Sequence, residues 1–535
     1  MKALLTLAAL LGTSATAHAF CGFYVSGGNQ EMFNDATQVV LMRKGTRTVL
    51  SMQNNYKGPP SAFAMIIPVP VVLHEADVKT LPKEVFANVE RMGAPRLVEY
   101  WEQDPCRVDR DDEDEKMAAP MAMAPRKKAK AMSAEDLGVT IEDQFVVGEY
   151  QIVILSAKDS TGLDTYLRLE KYNIPKGAEP LLRPYVEGGS KFFVAKVDPQ
   201  KVKFVDGRAA LSPLRFHYDT EHFSLPIRLG LANSSGTQDL IVNILAPQQR
   251  YEVSNYPNVT IPTNLDVKDS VKDRFGAFYA ALFDRTVEKH PGAVVTEYAW
   301  QATTCDPCPG PALNYHDFQA LGADVIDGGD AQIAAPPSGP SPMKSRRMNR
   351  GYGNDFVLTR LHARYGKDIT DDLVFKQAQP IVGGREFVKD PQTGKLEEGA
   401  EVSTVNNFQG RYAIRHEWTG PIACANPRRH IWGGPPGGGA YQTQAGLGLA
   451  FAPRGAVQLA TAFVPTTIPE IGLKDGVLDE VPKPAPRPIP AAQTAHGDRG
   501  CGCETSDPAG LAAGLLLGAL VILRPGTRRR RLKGE

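Results

Sequence analysis

Short runs of β-branched and apolar residues, each closed by glycine or proline, recur along this 535-residue chain and restrict it to a fold built mostly of sheets. Thr37-Gln38-Val39-Val40-Leu41-Met42-Arg43 and Arg47-Thr48-Val49-Leu50-Ser51-Met52-Gln53 flank Gly45, the pattern of a hairpin. Ala62 to Val72 reads as a buried strand with Pro68 and Pro70 at its rim. Phe145 to Leu155, Leu163 to Tyr172, Lys191 to Val205 and Leu225 to Leu245 continue as strands, the last with Ser234-Ser235-Gly236 as a turn.

Two helices interrupt this pattern. Lys83 to Met92 is short. Val267 to Lys289 is longer and sets Val271, Phe275, Phe278, Leu282 and Phe283 on one stripe, with Pro291-Gly292 as its stop. Such a stripe packs into a core. The expected fold is mainly β, in sandwich-like sheets with helical insertions; α+β is the alternative.

Segments of biased composition divide the chain. Residues 20–108 form an N-terminal β-rich region. Residues 109–136 pair the acidic run Asp111-Asp112-Glu113-Asp114-Glu115 with Met/Ala/Pro repeats and Arg126-Lys127-Lys128, which predicts a disordered insertion. The acidic run lacks the spacing of a calcium loop. Residues 137–327 form a β-rich domain that contains the 267–289 helix, and 328–354 is a flexible loop rich in Pro, Gly, Ser and Met. Residues 355–480 complete the body. In 481–500, Pro482, Pro484, Pro486, Pro488 and Pro490 alternate, which favours an extended stalk.

Both ends carry address-like patterns. Lys2 precedes an apolar stretch, and Ala17-His18-Ala19 offers the small residues a signal peptidase reads, so 1–19 is expected to be a signal peptide. Residues 501–535 begin with Cys501-Gly502-Cys503, continue through the apolar run 508–523 and end on Arg524, Arg528, Arg529, Arg530 and Arg531. Sixteen residues at about 1.5 Å each reach roughly 24 Å, slightly short of a hydrocarbon core. The arginines would hold this end on the cytoplasmic side. The body is then expected to be extracytoplasmic, anchored to the envelope or cell surface.

This tail resembles the MYXO-CTERM sorting signal. The resemblance implies cleavage by an intramembrane sorting protease and lipidation at Cys501 or Cys503. The body also resembles a family. Phe20-Cys21-Gly22-Phe23-Tyr24, Pro68-Val69-Pro70, Arg96-Leu97-Val98-Glu99-Tyr100 with Asp104-Pro105-Cys106, Leu225-Pro226-Ile227-Arg228-Leu229-Gly230, Cys305-Asp306-Pro307-Cys308 and Leu358-Thr359-Arg360-Leu361-His362-Ala363-Arg364-Tyr365 are similar to the bacterial domain of unknown function 2330. That family is exported and uncharacterised, so it supplies no catalytic residues.

Five cysteines remain outside the tail: Cys21, Cys106, Cys305, Cys308 and Cys424. Export favours disulfides. Cys424 is expected to pair with Cys305 or Cys308, and Cys21 with Cys106; a local Cys305–Cys308 bridge is the competing outcome. Two other readings of Cys305-Asp306-Pro307-Cys308 stay open. One is a metal site that recruits Cys424 and His430; the other is a redox pair, which Pro307, Pro309 and Pro311 disfavour by forbidding the helix such pairs open.

In Phe216-His217-Tyr218-Asp219-Thr220-Glu221, the period of two sets His217, Asp219 and Glu221 on one face as candidate metal ligands or acid/base groups. The same alternation describes a half-buried strand with Phe216 and Tyr218 inward. His416-Glu417 lacks the second His of a zincin motif, and no Gly-x-Ser-x-Gly elbow, Walker loop or dinucleotide fingerprint occurs. No catalytic residue is assigned and no cofactor is expected. Lys+Arg and Asp+Glu balance at 60 each, which gives no field that points to nucleic acid. The function expected is a non-enzymatic binding or structural module, its surface ligand unknown. The alternative is an extracytoplasmic metal-dependent hydrolase or thiol-redox enzyme.

Overall fold

Gly45 takes a φ of +57°, a value that residues with a Cβ rarely adopt. It lets the chain reverse between the strands Phe33–Lys44 and Arg47–Lys57, which pair with Val39 opposite Met52 and Leu41 opposite Leu50. The computed structural model that shows this describes residues 23–26, 33–57, 63–106, 138–326, 355–385 and 397–481, apart from breaks at 171, 173, 175–176, 203, 206–207, 210, 234–235, 367–368, 398, 437–441, 446–447 and 450–451. The chain divides into two units after Pro482. The expected signal peptide, the 109–136 insertion, the 328–354 loop, nearly all of the 481–500 stalk, and the tail with Cys501, Cys503 and the 508–523 span lie outside the described residues, as does Cys21. Among the described residues, no helix is long and apolar enough to cross a membrane.

The hairpin lies inside a thirteen-stranded mixed sheet, between Gln238–Pro247 on one side and the strands Arg208–Ala209 and Leu214–Asp219 on the other. Gln238–Pro247 runs parallel to Phe33–Lys44, with Val242 opposite Val39, and antiparallel to Phe356–Tyr365, with Val242 opposite Leu361. Phe356–Tyr365 pairs in turn with Val294–Gln301, and the register slips between Thr296 and Tyr298. That bulge falls on Glu297. Strands from the 20–108, 137–327 and 355–480 segments thus share one sheet.

A five-stranded sheet packs face to face on it. Phe63–Val69, Tyr150–Ala157 and Lys191–Val197 turn Met65, Ile67, Ile154 and Phe193 onto Val39, Leu41, Val242 and Leu361. The architecture is mainly β with helical insertions, and these two sheets form the sandwich. The outer face of the smaller sheet is covered by the helices Ser160–Leu169 and Glu179–Glu187, through Leu163, Leu167 and Leu182. The far face of the large sheet is covered by the helix Glu84–Gly93, the turn around Tyr315–Phe318 and the helix Phe275–Lys289. Both faces being buried explains why the strands read as continuous apolar runs.

The helical stripe behaves as its spacing implied. Val271, Phe275, Phe278, Leu282 and Phe283 are all buried, although Val271 sits in a short 3-10 turn, Asp269–Arg274, before the helix proper. A smaller sheet lies below this helix. Its Arg96–Glu102 and Arg411–His416 strands run parallel, with Leu97 opposite Tyr412 and Trp101 opposite His416.

Four expectations fail locally. Phe145 to Leu155 is not one strand but parts of two, Val139–Val147 and Tyr150–Ala157, which reverse at Gly148 with φ +60°. Lys191 to Val205 is broken after Val197 by a 3-10 turn over Pro199–Lys201. Leu163 to Tyr172 is not a strand: Asp159 Oδ1 accepts from Gly162 N at 2.6 Å and caps a helix over Ser160–Leu169. Leu163, Thr165, Leu167 and Leu169 mimic period two, yet Leu163, Tyr166 and Leu167 are the buried set and Leu169 is 66% exposed. Leu225 to Leu245 is not continuous either, because a 3-10 turn over Arg228–Asn233 separates Ser224–Leu225 from Gln238–Pro247.

Candidate functional site

The central strand of the large sheet carries aliphatics on one face and charges on the other. Along Phe356–Tyr365, Leu361 and Ala363 face the sandwich core, while Arg360, His362 and Arg364 share the opposite face. Arg360 is 1% and His362 0% exposed. Their partners come from four other elements. The bulge delivers Glu297, also buried, from Val294–Gln301. Gln238–Pro247 supplies Asp239, the helix Phe275–Lys289 supplies Tyr279, Phe283 and Asp284, and the helix Glu84–Gly93 supplies Glu90.

The geometry is tight. Arg360 donates from Nε to Glu297 Oε2 at 2.6 Å and from Nη1 to Glu90 Oε2 at 2.7 Å. His362 lies between two carboxylates, with Nδ1 2.7 Å from Glu297 Oε1 and Nε2 3.1 Å from Asp239 Oδ1. Tyr279 donates its hydroxyl to Glu297, and the Phe283 ring stacks on His362 with centroids 3.7 Å apart. Arg454 reaches Asp239 Oδ1 at 2.8 Å and pairs with Asp284, while Arg364 holds Asp239 Oδ2 at 2.5 Å. With His362 protonated, four acids (Glu90, Asp239, Asp284, Glu297) meet four cations (Arg360, His362, Arg364, Arg454).

These charges set one another. Burial pushes the Glu297 carboxyl up, but the His362 and Arg360 charges, with hydrogen bonds from His362 and Tyr279, outweigh it and hold the group at about 2. Burial pulls His362 down, and Glu297 and Asp239 outweigh it, so its pKa is raised. Asp239 is likewise lowered against its burial by His362, Arg454 and Arg364. Burial raises the Tyr279 hydroxyl far above its usual range, with Glu297 adding to the effect.

A carboxylate–imidazole–carboxylate array could move protons, but it needs an open position beside the imidazole. Both nitrogens of His362 are engaged and Phe283 covers one face of its ring. The arrangement acts as an electrostatic clamp that pins two helices and the Arg454 segment to the sheet. Its outer end, Glu90, borders a groove of about 370 Å³ lined by Gln38, Gln53, Lys83, Glu84 and Phe86.

The residues singled out from sequence lie elsewhere. Phe216 and Tyr218 point into the core as alternation implied. His217 is brought to Asp77, with Nε2 3.4 Å from Oδ1, and burial lowers its pKa against the pull of Asp77. Asp219 is held by Arg47 at 2.8 Å, and Glu221 follows the end of the Leu214–Asp219 strand.

The cysteines pair differently from the expectation. Cys424 bonds to Cys106, with Cα atoms 5.5 Å apart, and Cys305 bonds to Cys308 at 4.9 Å. Cys424 therefore joins neither Cys305 nor Cys308, in a bridge or around a metal with His430, and Cys106 does not await Cys21. The cause is topological: Cys106 follows Arg96–Glu102 and Cys424 follows Arg411–His416, so two parallel neighbours deliver both thiols to one edge. Glu102 secures the same edge. Its buried carboxylate accepts from Arg429 Nε at 2.7 Å and from the Trp418 and His430 backbone N–H groups, and Arg429 first, with these N–H groups, holds it at about 2.

Sequence reasoning also missed Glu99, Asp269 and His416, each of which offers one ligand atom within 4.8 Å of the others. Among the described residues this is the one group of three or more such side chains that could hold a metal ion. Glu99 and His416 sit on the parallel pair, and Asp269 opens the 3-10 turn above it.

Residues 15–376 match the model of a family described as uncharacterized protein conserved in bacteria (DUF2330). No curated protein matches this chain. No solved structure matches it.

Proposed function

This chain belongs to that family of uncharacterized bacterial proteins, and we propose that it is an exported binding or structural module, anchored to the cell envelope or surface. The Cys106–Cys424 bridge carries the reading. It joins residues 318 apart in sequence, and a bond of that kind persists in an oxidising compartment and is rare in the cytosol. The sequence supports the same address at both ends. Signal peptidase would cut after Ala19, and an intramembrane sorting protease would act at the tail, with Cys501 or Cys503 as the modified residue. The membrane is then the partner of the tail, and the body is displayed beyond it on the proline-rich stalk.

The non-enzymatic half of the reading rests on the clamp. The buried acid/base array around His362 turns both ring nitrogens inward to carboxylates, so its charges hold the fold rather than meet a substrate. Cell fractionation tests the anchoring. The full chain is expected in the membrane fraction, and a chain stopped after Asp498 in the soluble fraction. A truncated chain that stays as firmly membrane-bound as the full one overturns the reading.

A further inference from the structure

The parallel strands Arg96–Glu102 and Arg411–His416 place Glu99 and His416 together on the face that looks toward the Asp269–Arg274 turn. His416 Nε2 lies 3.0 Å from Glu99 Oε2, and the His416 ring is fixed by stacking on Trp101, centroids 4.8 Å apart and 18° from parallel. Glu99 is only 5% exposed, and a carboxylate so placed needs a cation. Lys272, from the same turn as Asp269, supplies one: its Nζ lies 2.8 Å from Oε1 and 2.9 Å from Oε2.

We propose that Glu99, Asp269 and His416 bind one divalent transition-metal ion of the zinc type, in competition with the Lys272 ammonium. One imidazole nitrogen with two carboxylate oxygens is a donor set that suits zinc and its first-row neighbours better than magnesium or calcium, which prefer oxygen alone. Zinc holds such donors at about 2.0–2.2 Å, so tetrahedral ligands stand roughly 3.4 Å apart. The three ligand atoms already lie within 4.8 Å, and side-chain rotation of the exposed Asp269 closes the remaining distance.

Charge balance agrees. The two carboxylates carry two negative charges, Lys272 neutralises one, and a divalent ion neutralises both. Lys272 is 43% exposed along its side chain, so its ammonium can turn to water when the ion arrives. Three protein ligands leave a fourth position for water or an exogenous donor, the arrangement of an open site rather than a closed structural one. The site is separate from the His362 clamp and shares no residue with it.

The competing account, in which Glu99, Lys272 and His416 are only an ion pair with a neighbouring imidazole, makes the opposite prediction for Lys272. Zinc affinity of the purified full chain, its free thiols blocked, is measured by competition with a chromophoric chelator. One ion is expected. His416→Gln and Asp269→Asn each weaken it at least about tenfold, and Lys272→Met tightens it by removing the competitor. Magnesium in the same assay binds far more weakly. Asp269 is exposed, so Asp269→Asn leaves the fold intact, which circular dichroism checks. Unchanged affinity in both His416→Gln and Asp269→Asn overturns the proposal, and so does a Lys272→Met chain that binds zinc no more tightly than the natural one.

Discussion

His362 Nδ1 lies 2.7 Å from Glu297 Oε1 in a part of the molecule where neither side chain reaches solvent. The pair exists because a bulge in one strand aims a carboxylate at the imidazole of the next. Around it, Arg360, Asp239 and Tyr279 complete a network in which each ion has a counter-ion within hydrogen-bond distance. Networks of this kind are costly to assemble and more costly to break halfway.

Removing one partner therefore exposes the size of the debt. Glu297→Gln leaves Arg360 and His362 buried without their shared counter-charge, and is expected to destabilise the body by about 3–5 kcal/mol. The double variant Glu297→Gln with Arg360→Met removes both charges together and should cost clearly less than the single variants Glu297→Gln and Arg360→Met added. Urea unfolding of the four chains measures the cycle, and simple additivity would show that the network is not coupled.

The pH dependence follows from two opposite shifts. Glu297 is held at about 2 against a usual 4.5, so its contribution is present above pH 4.5 and is lost as pH falls toward 2. His362 is raised above its usual 6.5, so its contribution is complete below pH 6.5 and is lost as pH rises through the folded value. Stability is expected to fall on both sides of a maximum between about pH 4.5 and 6.5. Urea midpoints across pH measure this, and His362→Gln should flatten the alkaline limb. An alkaline limb that survives His362→Gln assigns it to another group.

The sequence made the sheets legible and the charge clamp illegible, for physical reasons. Val39, Leu41, Leu50 and Met52 alternate with residues that face another core, so the hairpin could be read locally. The stripe from Phe275 to Phe283 was equally plain. Leu163 to Leu169 misled because a helix and a strand can share the same apolar positions over seven residues, and the Asp159 cap decides between them. Arg360, His362 and Arg364 did carry a signal: three ionisable groups at period two beside aliphatics that face a core. Glu297 carried none, because a bulge is a property of two strands and not of one. Cys106 and Cys424 belong to the same class, since their meeting depends on parallel pairing between segments more than three hundred residues apart.

The two bridges should contribute unequally. In the chain-entropy account, a loop as long as that closed by Cys106–Cys424 is worth roughly 6 kcal/mol, and the short Cys305–Cys308 ring about 2 kcal/mol. Paired replacement of Cys106 and Cys424 by Ser is expected to lower the urea midpoint more than paired replacement of Cys305 and Cys308. The reverse order would contradict the chain-entropy account of the two bridges.

Gly322 offers a local test of packing. Its φ is +137°, and a Cβ built there meets Val49 atoms at 2.8 Å. Gly322→Ala combines backbone strain with a clash and is expected to cost about 1–3 kcal/mol. The companion Val49→Gly change removes all three contacting atoms, Cβ included, and should relieve the clash alone, so thermal melts of Gly322→Ala in both backgrounds separate the two effects. Equal losses in both would mean that the contact with Val49 does not matter.

The most direct measurement of an exported, bridge-tied body is a non-reducing peptide map of the protein taken from its native cell envelope. The predicted map begins at Phe20, joins the Cys106 peptide to the Cys424 peptide and closes Cys305 on Cys308. A chain that retains Met1, with Cys106 and Cys424 both recovered as free thiols, would contradict the account.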